Sequence, residues 1–322
     1  MKKGLVICLA LLLAAVVVAG PSVCEAKKFK IGVTVIVSHP ALEADQKGFE
    51  KALKDAGLEA EYDYQNAQGE MANAQTIAQK FADDKSVDMV HAIATPTAQA
   101  ACKVIKNKPV VYSSVTDPVG AGLVKTMAAD AANKNVTGVS DAWPIERQIK
   151  LYHEMVPKAK KWGTIYNAGD QNSVKSIGWT KEAMKKFGLE LIEVTISSSN
   201  EVYTAAQSLI GRVDAIYITS DNMVASAMQS VTKVANQNKI PFFVGNTDQV
   251  ELGATAALGF DYFQVGYTAG KKAAAVLKGK KPAEVASGQT EQLNLYLNLK
   301  SAKIQNVSIS QDLLKKAKKV IK

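Results

Sequence analysis

Residues suited to covalent or metal chemistry are few and scattered in this chain. There are three histidines, His39, His91 and His153, and three cysteines, Cys8, Cys24 and Cys102. His91 falls within an apolar strand-like run and His153 within a helical one, so neither is placed to act as a base. Serine-hydrolase, zinc-protease, phosphate-loop and dinucleotide fingerprints are missing, and no Cys/His group has metal-ligand spacing. No catalytic residue, metal or cofactor is therefore assigned, and the chain reads as a non-enzyme. An exported α/β hydrolase or transferase is the weaker alternative.

Short polar sets recur instead, each just after an apolar run. Ser38 and His39 follow the first run, Thr95-Pro96-Thr97-Ala98-Gln99 the third, and Ser113-Ser114-Val115-Thr116-Asp117 the fourth. Further on come Ser140-Asp141 with Trp143, Asn167, Asn172-Ser173, Ser220-Asp221-Asn222 and Asn246-Thr247-Asp248. If the runs are parallel strands, these sets stand at their carboxyl ends, where open α/β sheets bind ligands. The candidate ligand-binding residues are accordingly Ser38, His39, Thr95, Thr97, Gln99, Ser114, Thr116, Asp141, Trp143, Asn167, Asn172, Ser173, Asp221, Asn222 and Asp248.

Two of these sets suggest a zwitterion. Thr95 as N-cap and Pro96 at the first helical position leave free N–H groups facing the cleft, a seat for a carboxylate. Asp221 occupies the matching place later in the chain and would hold an ammonium, with Asp141 and Asp248 as alternatives. Ser114 and Thr116 would add bonds to the carboxylate. Trp143, Tyr262 and Phe263 offer surface to an apolar or aromatic ligand. Each signal also has a plainer meaning: a capped helix, a loop histidine, and at Asp117-Pro118 a turn former.

The elements that must carry these sets alternate. Phe29 to Val37 is β-rich, and Ala41 to Ala56 is amphipathic and stops at Gly57. Strand-like and helical runs then follow in turn to Gly245. The pattern predicts α/β architecture with parallel sheets covered by helices. Two stretches look alike. Gly48 to Leu53 with Gly57-Leu58-Glu59 matches Gly178 to Ala183 with Gly188-Leu189-Glu190, at offsets of 130 and 131. Val87-Asp88 matches Val213-Asp214 at 126, and each Asp precedes its next helix by seven residues. We read two Rossmann-like lobes of one topology. The chain is expected to cross between them three times, near Ser140, near Asn246 to Gly253 and near Ala283 to Gln292. Lobe one then takes residues 27–140 and 254–284, and lobe two takes 141–253 and 285–322, with the ligand cleft between them.

The first 26 residues stand apart. Lys2 and Lys3, an uncharged run from Gly4 to Gly20, and Val23-Cys24-Glu25-Ala26 describe a secretory signal peptide, with cleavage after Ala26. A membrane anchor needs about 20 apolar residues. Lipid attachment at Cys24 is the minority alternative and would leave the protein on the outer face of the membrane. The formal charge of +9 becomes +8 after cleavage, with 37 basic and 29 acidic residues remaining. The lysines are scattered in pairs without a basic stripe, so nucleic acid is not expected as a partner. Only Cys102 would survive, so no intramolecular disulfide could form, and a monomer is expected.

Several motifs together carry a resemblance. They are His39-Pro40-Ala41-Leu42, Ala94 to Gln99, Val115 to Val124 (VTDPVGAGLV), Gly138-Val139-Ser140-Asp141, Tyr166-Asn167 with Asn172-Ser173, and Asp221-Asn222. Over about Phe29 to Ala317 the sequence resembles the ABC-transporter substrate-binding family, whose members include tryptophan- and phenylalanine-binding receptors. The resemblance implies a type I periplasmic-binding-protein fold. It also implies a periplasmic receptor that delivers a small solute to a membrane permease and its ATPase. An aromatic amino acid is the first expectation for the ligand. A sugar, a nucleoside or another small solute, or a sensor role, is the alternative.

Overall fold

The computed structural model describes residues 27–290 and 292–322. The segment 1–26, read from the sequence as a signal peptide, and Cys24 within it lie outside the described residues.

The first lobe runs β1 (Phe29–Val35), α1 (Pro40–Asp55), β2 (Ala60–Asn66), α2 (Met71–Asp83), β3 (Met89–Ile93), α3 (Thr95–Val104), β4 (Val110–Val115) and β5 (Val136–Ser140). Strands β3, β4 and β5 are buried along their whole length. Such runs need helices on both faces of the sheet. The second lobe runs α4 (Ile145–Met155), β6 (Lys161–Asn167), α5 (Gln171–Lys186), β7 (Glu190–Ile196), α6 (Val202–Ser208), β8 (Ala215–Ile218), α7 (Asn222–Ser226), α8 (Met228–Asn238), β9 (Phe242–Val244) and β10 (Ala256–Gly259). The chain returns to the first lobe through α9 (Tyr262–Leu277) and β11 (Gly288–Gln289). It ends in the second with β12 (Asn294–Asn298), α10 (Leu299–Ile304), α11 (Gln311–Lys316) and β13 (Lys319–Ile321).

One sheet has the order β11-β5-β4-β3-β1-β2 and the other β13-β12-β10-β9-β8-β6-β7. All pairings are parallel except β10 with β12. Three crossings join the lobes, after β5, β10 and β11. The second falls later than the sequence suggested. Residues 254–259 were assigned to lobe one, but β10 pairs with β9 and β12 in the second sheet, so the chain crosses at Phe260–Asp261. The apolar run Ala256–Gly259 has no periodicity that tells one sheet from the other; only its pairing partners do. Likewise β11 pairs with β5, which places 288–289 in lobe one rather than lobe two.

Helix α9 lies unusually close to α1. A Cβ added at Gly266 would stand 1.7 Å from the Asp45 carbonyl oxygen, and one at Gly48 would stand 2.0 Å from the carbonyl of Phe263. Glycine at both positions lets the backbones touch, which presses α1 and Asp45 down onto β3 and β4. Among the described residues, no helix is long and apolar enough to cross a membrane.

Candidate functional site

The two sheets point their carboxyl ends at each other, and the residues there make contact. Thr116 Oγ1 lies 3.4 Å from Ser220 Oγ, and His39 Nε2 lies 3.4 Å from Asn222 Oδ1. Lys175 of the second lobe pairs with Asp117 of the first at 3.0 Å. Asp117 also accepts from the Gly120 N–H, so the turn former doubles as a bridge between the lobes. These contacts enclose a cavity of about 20 Å³. That is room for about one water and far below the ~300–1,000 Å³ of ligand sites, so a ligand of that size needs the lobes to stand further apart.

Its wall combines all three regions of the chain. His39, Leu42 and Ser114 come from the first lobe; Asn172, Ser220, Asp221, Asn222, Ala225, Asn246 and Gln249 from the second; Asp141, Trp143 and Tyr262 from the crossings. Among the described residues, three acceptors in this wall are buried without a protein donor: Asp141 Oδ1, Asn172 Oδ1 and Gln249 Oε1. Buried polar atoms are nearly always satisfied, so such a set marks where a donor-bearing guest fits. Asn172 is oriented for this because its Nδ2 faces the Ser220 carbonyl at 3.4 Å. The other Asp141 oxygen is fixed by Tyr262, which donates to Asp141 Oδ2 at 2.7 Å while accepting from Trp143 Nε1 at 3.0 Å. Burial lifts the Asp141 carboxyl to about 6.

The donors lie opposite. His39 is buried, and desolvation lowers its imidazole to about 4, so it is neutral at pH 7 and donates to Asn222. It stands at the N-cap of α1 without making a side-chain cap. His39 and Leu42 bracket a helix start whose leading N–H groups are uncapped, the condition for seating an anion.

Several candidates take other duties. Ser38 is exposed, accepts from Asn66 Nδ2 at 3.0 Å, and lies outside the cavity. Thr95 is not the N-cap of α3: Ala94 holds that place at φ +77, and Thr95 is buried away from the cavity. Thr97 bonds back to the Ile93 carbonyl at 2.5 Å, and Gln99 donates to the Ala121 carbonyl at 3.2 Å, tying down the VTDPVGAGLV loop. The helix start bordering the cavity is thus that of α1 rather than α3. Thr116 meets the other lobe through Ser220 instead of lining the cavity. Asn167 and Ser173 stand behind the wall, where the Asn167 N–H and Ser173 Oγ both donate to Asp221 Oδ2, at 2.6 and 2.7 Å. Asp221 also caps α7 by accepting from the Val224 N–H at 2.9 Å. Its carboxylate borders the cavity but is already engaged by three protein donors. Asp248 lies outside the cavity, where burial and the charges of Asp261 and Glu251 raise it to about 6.

Gln249, Ala225 and Leu42 line the wall from outside the polar strand-tip sets. Gln249 sits on a 3₁₀ turn, Thr247–Val250, five residues beyond the end of β9. Leu42 is one turn into a helix whose start His39 already marked. A larger groove of about 570 Å³, lined by Trp143, Trp179 and Phe260, lies on the hinge side. It is walled by helix faces and crossing residues rather than strand tips, so it is the poorer match to the place where parallel sheets bind ligands. Among the described residues, no group of three or more His, Cys, Asp or Glu could hold a metal ion.

Two hinged α/β lobes closing on a small polar cavity define a solute-binding protein. The chain matches the family described as ABC transporter substrate binding protein over residues 30–321, and it belongs to that family. Its fold is the type I periplasmic-binding-protein fold. It is 40% identical over 292 residues to a tyrosine-binding protein of Clostridioides difficile, an alignment covering 88% of this chain and 84% of the relative. An ABC domain in complex with L-Trp from Streptococcus pneumonia superposes with a TM-score of 0.87 at 32% identity, covering 92% of this chain and 100% of that one. The ligand-free, open structure of a substrate binding protein with adhesive properties from Clostridium difficile gives 0.67 at 37% identity, covering 91% and 99%. The lobe arrangement here therefore sits nearer the Trp complex than the open form, although sequence identity to the open form is higher.

Proposed function

We propose that this chain is the extracytoplasmic solute receptor of an ABC importer and that its ligand is an aromatic amino acid. The observation that carries the reading is the trio of unpartnered acceptors, Asp141 Oδ1, Asn172 Oδ1 and Gln249 Oε1, in one closed cavity. Three acceptors, one of them a carboxylate, suit the three N–H donors of an ammonium. The ligand carboxylate lies on the start of α1 beside His39. Leu42, Ala225 and the Trp143 indole give the ring an apolar surface. The tyrosine-binding relative and the L-Trp complex support the same ligand class. Closure about the three crossings buries the ligand, and a permease with its ATPase takes it from the closed form. The leader directs export to the periplasm, or to the outer face of the membrane if Cys24 is lipidated.

The test is mass spectrometry of solute released from the purified protein, with calorimetry against the amino acids. The reading expects L-tyrosine, L-tryptophan or L-phenylalanine to bind and raise the melting temperature. A chain that binds none of them, or that releases a sugar or nucleoside, defeats it.

A further inference from the structure

Behind the cavity wall lies a buried polar chain that the reading above does not use. Asp45, on α1, is completely buried. Ser113 Oγ donates to its Oδ1 at 2.7 Å, and Ser114 Oγ donates to its Oδ2. Successive strand residues normally face opposite ways. Here Ser114 adopts φ +54 where the β4–β5 register shifts between Tyr112 and Val115, and the kink turns both hydroxyls onto one carboxylate. A non-glycine residue held in that conformation is strained and persists only where its surroundings enforce it.

The proton directions follow from the partners. Burial raises the Asp45 carboxyl to about 7, so at pH 7.5 the carboxylate is the major form; it only accepts, and both serine protons then point at Asp45. Ser113 Oγ must then accept from His91 Nε2, 2.7 Å away. His91 also lies 3.6 Å from Asp45 Oδ1, but burial lowers its pKa to about 3, so it is a neutral hydrogen-bond donor and not half of an ion pair. Stacking on Phe49, centroids 3.8 Å apart, fixes the ring. Ser114 also lines the ligand cavity. With its proton turned away, it shows the cavity only lone pairs.

We propose that Asp45 is a specificity-determining positioning residue: by holding the proton of Ser114 it makes that hydroxyl a further acceptor and tunes the cavity to a ligand bearing an ammonium. This rests on the amine reading above and reverses the role the sequence suggested for Ser114, a donor to the ligand carboxylate. The titratable groups facing Asp45 are His91 from β3 and Asp141 from the first crossing; burial is the main cause of the raised Asp45 value, and the Asp141 charge adds to it. Helix α9 presents Gly266 to it, and β4 the two serines. An ammonium beside Ser114 and Asp141 offsets this clustering of negative charge.

The test is Asp45→Asn. Its amide must donate to one serine. Donation to Ser113 would strand that residue's proton, because His91 already donates there, so the amide faces Ser114 and turns its proton into the cavity. Calorimetry at pH 7.5 with L-tyrosine and with its des-amino analogue, 3-(4-hydroxyphenyl)propionate, reads the effect. D45N should weaken L-tyrosine at least about tenfold while moving the analogue less than about threefold. S114A should lose the same discrimination, and the double variant should bind L-tyrosine no more weakly than S114A alone. Equal weakening of both probes by D45N, or additive losses in the double variant, overturns the positioning role and leaves the amine reading standing. If D45N does not fold, S114A decides, and unchanged discrimination in S114A overturns the proposal. A wild-type protein that prefers the des-amino analogue fails the amine reading itself.

Discussion

Replacing Asp141 by asparagine should weaken amino-acid binding while stabilising the ligand-free protein. The carboxyl is buried, and its pKa is lifted from the ordinary 3.8 to about 6, chiefly by loss of hydration. A folded-state value above the unfolded one means that the folded protein holds the proton more tightly. Stability from this group is therefore full below about pH 4 and is lost as pH rises through about 6. At roughly 1.36 kcal/mol per pH unit, the ionised side chain costs the folded state up to about 3 kcal/mol at pH 7. Asparagine keeps the shape and an oxygen for Tyr262, so the Trp143–Tyr262 chain survives. It turns an amide toward the cavity in place of Oδ1 and removes the charge. A hydrogen bond to a charged group contributes about 1.5–3 kcal/mol, so L-tyrosine affinity should fall about 10- to 150-fold. Calorimetry gives the affinity, and thermal melting of the ligand-free protein at pH 7.5 gives the stability. Affinity within about twofold of wild type, or a lower melting temperature in the variant, refutes the reasoning. A residue that merely shaped the wall would not move the two quantities in opposite directions.

Three further outcomes follow from the same geometry. Because an ammonium favours ionised Asp141 and Asp45, whose carboxyls burial raises to about 6 and about 7, amino-acid affinity should level off only above about pH 7 and fall below it; calorimetry across about pH 5–8 should show that slope, and it should be shallower in Asp141→Asn. Gly245→Ala would place a Cβ 1.8 Å from Trp143 Cε3, so the indole must move; about 1–3 kcal/mol of stability and much of the ligand affinity should be lost, as read by melting and calorimetry. Asp221→Ala strips the acceptor from the Val224, Asn167 and Ser173 donors, so its first effect should be destabilisation by about 1–3 kcal/mol, visible as a lower transition by differential scanning calorimetry in the ligand-free protein.

Much of the site was legible because parallel strands have a direction. Reading the residues after each apolar run found His39, Ser114, Asp141, Trp143, Asn172, Asp221 and Asn222, all of which line the cavity. The same rule overreached at Ser38, Thr95 and Asp248. It locates a strand tip but not the way a side chain turns once the backbone leaves the strand. Ala94 at φ +77 and Ser114 at φ +54 are non-glycine residues in a region that sequence does not advertise. The place of Asp221 at a strand tip does not reveal that its carboxylate is taken by a helix cap and two neighbours.

Local pattern alone determined that strands and helices alternate, that the series occurs twice, and that polar residues gather at strand ends, since each follows from periodicity over a few residues. Tertiary structure decided which sheet receives Ala256–Gly259, which helix start meets the cavity, and which acceptors remain without donors. Those outcomes depend on partners far away in the chain: Asp45 with Ser114, and Asp141 with Tyr262. A hydrogen bond between residues 69 or 121 positions apart leaves no trace in either local sequence, because its geometry exists only after α1 has packed on the first sheet and the crossings have come together.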